Sequence, residues 1–371
     1  MELRTPPGSQ DTLASAVRKK KQLANRIQDV FDQFGFEEVQ TPALEYYQTY
    51  NQAFQTLQDR KMFKLVDSNQ DILTLRMDMT IPIARLAATS LKNAALPLRL
   101  SYLSDVWKVR KAYSGKHIQT SDCGVELFGV DDDLEILVCA LEALKASGLE
   151  NYRLELSDAR LIQGAACHAF DDPKDIETLA DLCDRKSMVE LEAFLESFDL
   201  PQMVKTYFLS LPLLDGGAEV LDQARALAFD EDALKALDSL QKMGEILTAL
   251  GYGDQVGFDL GKLPHLNYYT GLIFEGYVPG ASGTVLSGGR YDDLMKSFGR
   301  PVPAVGFAFK MDPLAALLPS GTPRENLIIR YPSALRLEAF TLAKTERERQ
   351  SVRLVCDDAI SEIVLEREVR P

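Results

Sequence analysis

The residues whose chemistry depends most on spacing are the five cysteines, the three histidines and the glycine clusters of this 371-residue sequence. Cys123, Cys139, Cys167, Cys183 and Cys356 are odd in number and scattered, with no Cys-x-x-Cys pair. His117, His168 and His265 form no ligand-spaced cluster. The expectation is no metal site and no disulfide framework, with the thiols buried or incidental. Gly251-x-Gly253-x-x-x-Gly257 follows a helical segment and has the wrong spacing for a phosphate-cradling loop, and no such loop stands between a strand and a helix. Lys108, Arg110, Lys111 and Lys116 form a local basic run of the kind that could meet a nucleic acid. Acidic residues outnumber basic ones 55 to 41, however, and the net charge of −14 makes the chain a poor polyanion binder. The run reads as a solvated loop, and no nucleic-acid partner is expected.

The elements that must position any site follow from length and periodicity. A length of 371 residues predicts two domains with a possible third fragment. With 46% apolar and 26% charged residues, the composition is that of a globular chain with ample core. No membrane helix is expected: the most apolar stretch, Ile81–Leu91, carries Arg85. The start has no apolar signal region, and the basic run Arg18–Lys21 leads into an amphipathic segment, so the expected location is cytoplasmic.

A helix is expected over Thr12–Phe34, with Ile27, Val30, Phe31 and Phe34 on one face, Asp11 as cap and Gly35 as stop. A short strand follows in Gly35–Glu45, then a hairpin over Met62–Arg76 around Asp67-Ser68-Asn69. Further strands are expected at Leu98–Val109, Val125–Val130 and Tyr152–Leu156, with a helix at Leu134–Ala146. From Asp158 to Asp254 only helices are expected. The clearest is Asp230–Leu250, with a stripe of Leu234, Leu237, Leu240, Met243 and Leu247. Strands return at Val256–Leu260, Tyr268–Val278 and Gly283–Gly289, and Ala304–Leu318 reads as a strand leading into a helix. After a linker at Pro319–Asn326, about 45 residues hold two strands (Leu327–Tyr331, Val352–Val355) around a helix (Ala334–Thr345), too few to bury a large core alone. The expected fold is α+β. Residues 1–157 and 255–318 form an antiparallel-sheet core flanked by helices, 158–254 a helical insertion and 319–371 a short α/β tail.

In order along the chain, GFEEVQTPALE, LTLRMDMT, GVELFG, LNYYTGLIFE, SGGRYDDL and PAVGFAF resemble the motifs of the class II histidyl-tRNA synthetase family. The resemblance covers roughly residues 5–318. Each block alone has a structural reading; the collinear set carries the resemblance. It implies a sheet of roughly six or seven mainly antiparallel strands and a dimer-interface proline at Pro42. It also implies a histidine-sized pocket. Asp78 and Thr80 would meet the ammonium, Glu126 would accept from the imidazole, and Tyr268 and Tyr269 would supply aromatic walls and a phenol. Asp122 stands where the family uses glutamine, so recognition of the ligand's carboxylate needs Lys108 or Arg110 to compensate.

Amino-acid activation drives a carboxylate onto the α-phosphate of ATP and depends on positive charges that hold the triphosphate. Where the family places three arginines, this chain has Lys108, Pro264 and Pro313. Losing one such charge contact costs about 3–4 kcal/mol of transition-state stabilisation, so losing two is expected to leave no useful adenylation. Lys310 replaces a glycine in motif 3 and its side chain points to a filled nucleotide space. The tail is too short for the anticodon-binding domain.

A synthetase-like chain with a pocket but no activation machinery is similar to the regulatory subunits of ATP phosphoribosyltransferase. That resemblance implies a non-catalytic subunit without cofactor, in a hetero-octamer with the short-form catalytic subunit. It would act at the first step of histidine biosynthesis and in its feedback regulation by L-histidine. Histidine would bind either in the cleft or at the contact with the catalytic subunit. The alternative is a truncated but active amino-acid-activating enzyme, in which Lys108, Arg110 and Lys310 take over the arginine roles.

Overall fold

A computed structural model describes residues 3–53, 62–110, 117–263, 269–319 and 324–370. The chain divides into two compact units, Met1–Thr12 with Lys20–Leu318, and Leu13–Lys19 with Pro319–Pro371.

Helix α1 (Ala14–Gln33) buries Leu23, Ala24, Ile27, Val30 and Phe31 on one stripe, the spacing that a 3.6-residue period requires. It starts at Ala14, which leaves Asp11 too far upstream to cap it. Gly35 terminates it at φ 75°. The segment expected as one strand is split into β1 (Glu37–Glu38) and β2 (Leu44–Tyr46), with Thr41-Pro42 between them. Next come α2 (Tyr47–Ala53), the hairpin β3 (Lys64–Val66) and β4 (Ile72–Leu75), and α3 (Thr80–Ala88). β5 (Leu98–Trp107) and β6 (Gln119–Phe128) pair along ten residues. They are followed by α4 (Leu134–Ala146) and β7 (Arg153–Asp158).

The helical stretch holds a π turn at Arg160–Gly164, then α5 (Ala165–Ala169), α6 (Pro173–Asp184), α7 (Met188–Glu196) and α8 (Gln202–Ser210). A two-residue strand, β8 (Asp215–Gly216), interrupts it before α9 (Glu219–Leu227) and α10 (Glu231–Ala249). Asp230 caps α10 by accepting from the amides of Asp232 and Ala233 at 3.0 and 2.9 Å. Its buried stripe is Ala233, Ala236, Leu237, Leu240 and Leu247. Leu234, expected in that stripe, is 36% exposed, and the buried stripe is offset by one position through Ala233 and Ala236. The sheet resumes with β9 (Val256–Asp259), β10 (Leu272–Tyr277), β11 (Leu286–Arg290), α11 (Asp292–Ser297), β12 (Ala304–Lys310) and α12 (Met311–Leu317).

The central sheet runs β1-β5-β6-β12-β11-β10-β7-β9-β8. Only β1–β5 and β7–β9 are parallel. Without the two-residue end strands it has the size and mainly antiparallel character that the motifs imply, and β8 joins its edge from within the helical stretch. One face of the sheet is apolar, with Cys123, Val125, Leu127, Phe274, Phe307 and Phe309 buried. The alternate residues of the same strands form the opposite face, and they carry the site. A second sheet, β2-β4-β3, stands apart. Its Leu44, Tyr46 and Leu65 are exposed at 44%, 57% and 44%.

The smaller unit contains β13 (Arg324–Tyr331), α13 (Arg336–Glu346), β14 (Ser351–Cys356) and β15 (Val364–Arg370). β13 is central, parallel to β14 and antiparallel to β15. Leu327, Ile329, Tyr331, Ala339 and Ala343 form a small core. Among the described residues no helix is long and apolar enough to cross a membrane.

Candidate amino-acid site

The alternation of β6 puts Asp122, Gly124 and Glu126 on one face. Across the sheet Glu126 is level with Gly306, Gly289 and Ile273, and Asp122 with Lys310. The glycines make the floor low enough for what stands on it. A side chain at Gly306 would collide with the Glu126 carboxylate, and one at Gly289 would lie 2.6 Å from the Tyr269 ring. This close approach is the physical content of the GVELFG, SGGRYDDL and PAVGFAF blocks.

Asp78 reaches the same cleft from the turn that opens α3. Its Oδ1 accepts from the Ile81 amide at 3.1 Å. Its Oδ2 is buried with no hydrogen-bond partner. The turn is held from behind by the Tyr50 hydroxyl, which accepts from the Met77 amide at 3.1 Å and donates to the Asp78 carbonyl at 3.4 Å. Thr80, the first residue of α3, donates to Glu126 Oε1 at 2.8 Å, while the Tyr291 phenol donates to Glu126 Oε2. Asp78, Thr80, Glu126 and Tyr269 are thus brought together. Lys108, just beyond β5, acts electrostatically on both Asp78 and Asp122. Tyr268 lies outside the described residues, as does Pro264.

Burial dominates the electrostatics. It raises the Glu126 carboxyl to about 8, against the lowering effect of the Tyr291 and Thr80 hydrogen bonds, with Asp78 adding repulsion. Asp78 is raised to about 6 by burial; the Ile81 amide and Lys108 oppose this, and Asp122 and Glu45 add to it. Asp122 is raised by burial against Lys108 and Lys310, and Lys310 is lowered chiefly by burial. Burial therefore disfavours charge on Glu126, and the Asp78 Oδ2 beside it is in want of a donor. A cationic ligand supplies that donor and favours the ionised form of its neighbours. Such a site is suited to binding a cationic group.

Of the three positions where the resemblance places synthetase arginines, Lys108 and Pro313 lie among the described residues. Lys108 follows β5, with its amide bonded to the Ile118 carbonyl at 2.9 Å. Pro313 sits in the first turn of α12. Arg110 is exposed at the edge of the described chain. Arg290, in the SGGRYDDL block, is committed elsewhere: it is bonded to Asp133 at 2.6 Å and Asp292 at 3.1 Å.

Pro42 lies outside the cleft, exposed beside β2, but it is tied to it. Arg76 donates through Nη1 to the Thr41 carbonyl at 2.7 Å and the Pro42 carbonyl at 3.3 Å, and through Nε to the Asp105 carbonyl at 2.8 Å. Its guanidinium rests over the Trp107 ring, 5.8 Å from the centroid.

Sequence reasoning assigned no role to Tyr291. Its signal was present, since Gly289 and Tyr291 are two apart in an extended segment and so share a face. The bond to Glu126 spans 165 positions, and no local pattern announces it. All five cysteines are free thiols. Among the described residues no group of three or more His, Cys, Asp or Glu side chains is placed to hold a metal.

The chain is similar to known proteins along most of its length. A family model described as histidyl-tRNA synthetase matches residues 8–314. A protein of Clostridium kluyveri named ATP phosphoribosyltransferase regulatory subunit is 35% identical over 93% of this chain and 90% of its own length. One of the same name from Clostridium acetobutylicum is 37% identical over 88% and 81%. A crystal structure described as an ATP phosphoribosyltransferase regulatory subunit/histidyl-tRNA synthetase from Bacillus halodurans superposes with TM-score 0.87 at 32% identity, covering 97% of this chain and 94% of that one. The histidyl-tRNA synthetase of Nostoc sp. PCC 7120 shares the fold, with TM-score 0.78 at 20% identity over 96% and 86%. Fold, motif blocks and relatives converge: the chain belongs to the histidyl-tRNA synthetase-like family, in the group of ATP phosphoribosyltransferase regulatory subunits.

Proposed function

We propose that this chain is a non-catalytic, cytoplasmic subunit that activates a short-form ATP phosphoribosyltransferase catalytic subunit and relays feedback inhibition by L-histidine, at the first step of histidine biosynthesis. The observation that carries the reading is the contrast within one cleft. The groups suited to an amino acid are assembled, with a buried Asp78 oxygen unpartnered, while lysine and proline replace the guanidinium groups that adenylation needs. Histidine places its ammonium at Asp78 and Thr80. Its imidazole lies against Glu126 and Tyr269, with Tyr268 assigned there by the resemblance alone, and Lys108 and Asp122 border its carboxylate. Regulation then requires that histidine bind one arrangement of the complex better than another.

The chain pairs with a second copy through Pro42 and the apolar face of the β2-β4-β3 sheet. Leu44, Tyr46 and Leu65 expose there a patch of the kind that marks an interface. The full assembly is a hetero-octamer with the catalytic subunit. Light scattering after gel filtration of the co-expressed pair, with phosphoribosyl transfer assayed with and without histidine, tests this. Joint elution, activation by this chain and relief of histidine inhibition by Asp78→Asn are expected. A catalytic subunit that elutes alone and is equally active without this chain contradicts the reading.

A further inference from the structure

The cleft carries a cation that the pocket described so far leaves unused. Lys310 ends β12 directly across from Asp122, and its ammonium donates to the Thr284 hydroxyl. Lys108 approaches the same aspartate from β5, so that both lysines act on Asp122. The other carboxylates near Lys310, of which Glu275 acts on it most strongly, also have partners of their own. Glu275 is paired with Lys262 at 3.4 Å and accepts from the Tyr277 phenol at 2.6 Å. Asp312 is paired with Lys20 at 2.7 Å and accepts from the Ser121 amide at 2.8 Å. Lys310 thus faces both Glu275 and Asp122, while Lys108 faces Asp122 and Asp78. Among the described residues, no ion pair joins either lysine to a carboxylate. A lysine ammonium has three N–H groups, and Thr284 uses one of those on Lys310.

On the other side of Asp122, Asp78 Oδ2 is a buried acceptor without a donor. A buried carboxylate oxygen without a donor at Asp78 and two lysine ammonium groups outside any ion pair at Asp122 match the two ends of a zwitterion. We propose that Lys310, together with Lys108, determines specificity by seating the α-carboxylate of a free amino acid whose ammonium lies at Asp78. This deepens the histidine-pocket reading and rests on it. A lysine pair binds a carboxylate as point charges, without the fork of an arginine, and four-carbon stems let both reach it from separate strands.

Histidinol keeps the imidazole and the ammonium of histidine and replaces the carboxylate with a hydroxymethyl group. Calorimetry of the full chain with each ligand, for the parent protein and for Lys310→Met, separates the possibilities. The parent should bind histidine about 100-fold more tightly than histidinol, and Lys310→Met should lose about tenfold or more in histidine affinity with histidinol affinity unchanged. Unchanged histidinol binding shows that the variant is folded. Equal affinity of the parent for both ligands, or a variant that keeps the full preference for histidine, overturns the assignment of Lys310. A parent protein that binds neither ligand overturns the pocket itself and this assignment with it.

Discussion

Tyr291 and Glu126 share a hydrogen bond on the cleft floor, the phenol donating to Oε2, although they are 165 residues apart in the chain. Both are almost wholly buried, at 1% exposure each. The bond joins the strand that supplies the acid to the segment leaving β11, and Thr80 closes the other side of the carboxylate. Three sequence-distant elements are thereby fixed around one group. Replacing Tyr291 with Phe keeps the ring and its edge-on contact with Phe128 but leaves Oε2 buried without its donor. A loss of about 1–3 kcal/mol of stability is expected in urea denaturation, with weaker histidine binding by calorimetry.

Glu126 also sets a pH dependence whose sign is opposite to that of a salt-bridged carboxylate. Its folded value of about 8 lies above the ordinary 4.5, so the folded state holds a proton that the unfolded chain has released. The contribution of this group to stability is therefore full below about pH 4.5 and falls as pH rises towards about 8. Glu126→Gln cannot ionise. Between pH 5 and pH 8 the melting temperature of the parent should fall more steeply than that of Glu126→Gln; parallel profiles would show that the carboxyl does not titrate in this window.

The glycine floor gives a steric prediction. A methyl group at Gly306 has no room, since it would meet the Glu126 carboxylate and the Val125 carbonyl. Gly306→Ala should cost about 2 kcal/mol or more through overpacking and should weaken histidine binding. Gly299→Ala is a useful contrast. Nothing crowds its Cβ position, but its φ of 78° strains an L residue, so stability should fall while histidine affinity stays unchanged.

Arg76 links the Pro42 segment to the pocket. It binds the carbonyls of Thr41, Pro42 and Asp105 and lies two residues before Asp78. Lysine cannot hold these acceptors in one plane or stack on Trp107 in the same way. Arg76→Lys should destabilise the protein by about 2 kcal/mol and lower histidine affinity with no ligand contact altered. Thermal unfolding and calorimetry on the same preparation check both effects.

Local pattern carried much of this architecture into the sequence. Leu134–Ala146 reads as a helix and is one, because its apolar residues and its flanking Asp133 and Gly148 are local features. β6 is different: the apolar run beginning at Val125 is legible, but the strand starts at Gln119. Its first half faces the polar cleft and β5, so its side chains lack the alternation that marks a strand. β15 was missed for a related reason. Its charged residues pair across the strands, as in Arg330 with Glu366 at 3.0 Å and Arg353 with Glu368 at 3.0 Å, and such a strand looks like a surface segment. β8 has two residues and no local signal; its place is set by pairing with β9. In the site, the motif blocks located Asp78, Thr80 and Glu126. The Tyr291 bond and the position of Lys310 opposite Asp122 depend on register between distant strands, which no single segment encodes.

We propose that this cleft recognises histidine and does not activate it. Histidine-dependent exchange of pyrophosphate into ATP, measured on the purified chain with binding followed by calorimetry on the same sample, tests it most directly. A binding heat for histidine with exchange at background is expected. Exchange at the rate of a working synthetase would contradict it.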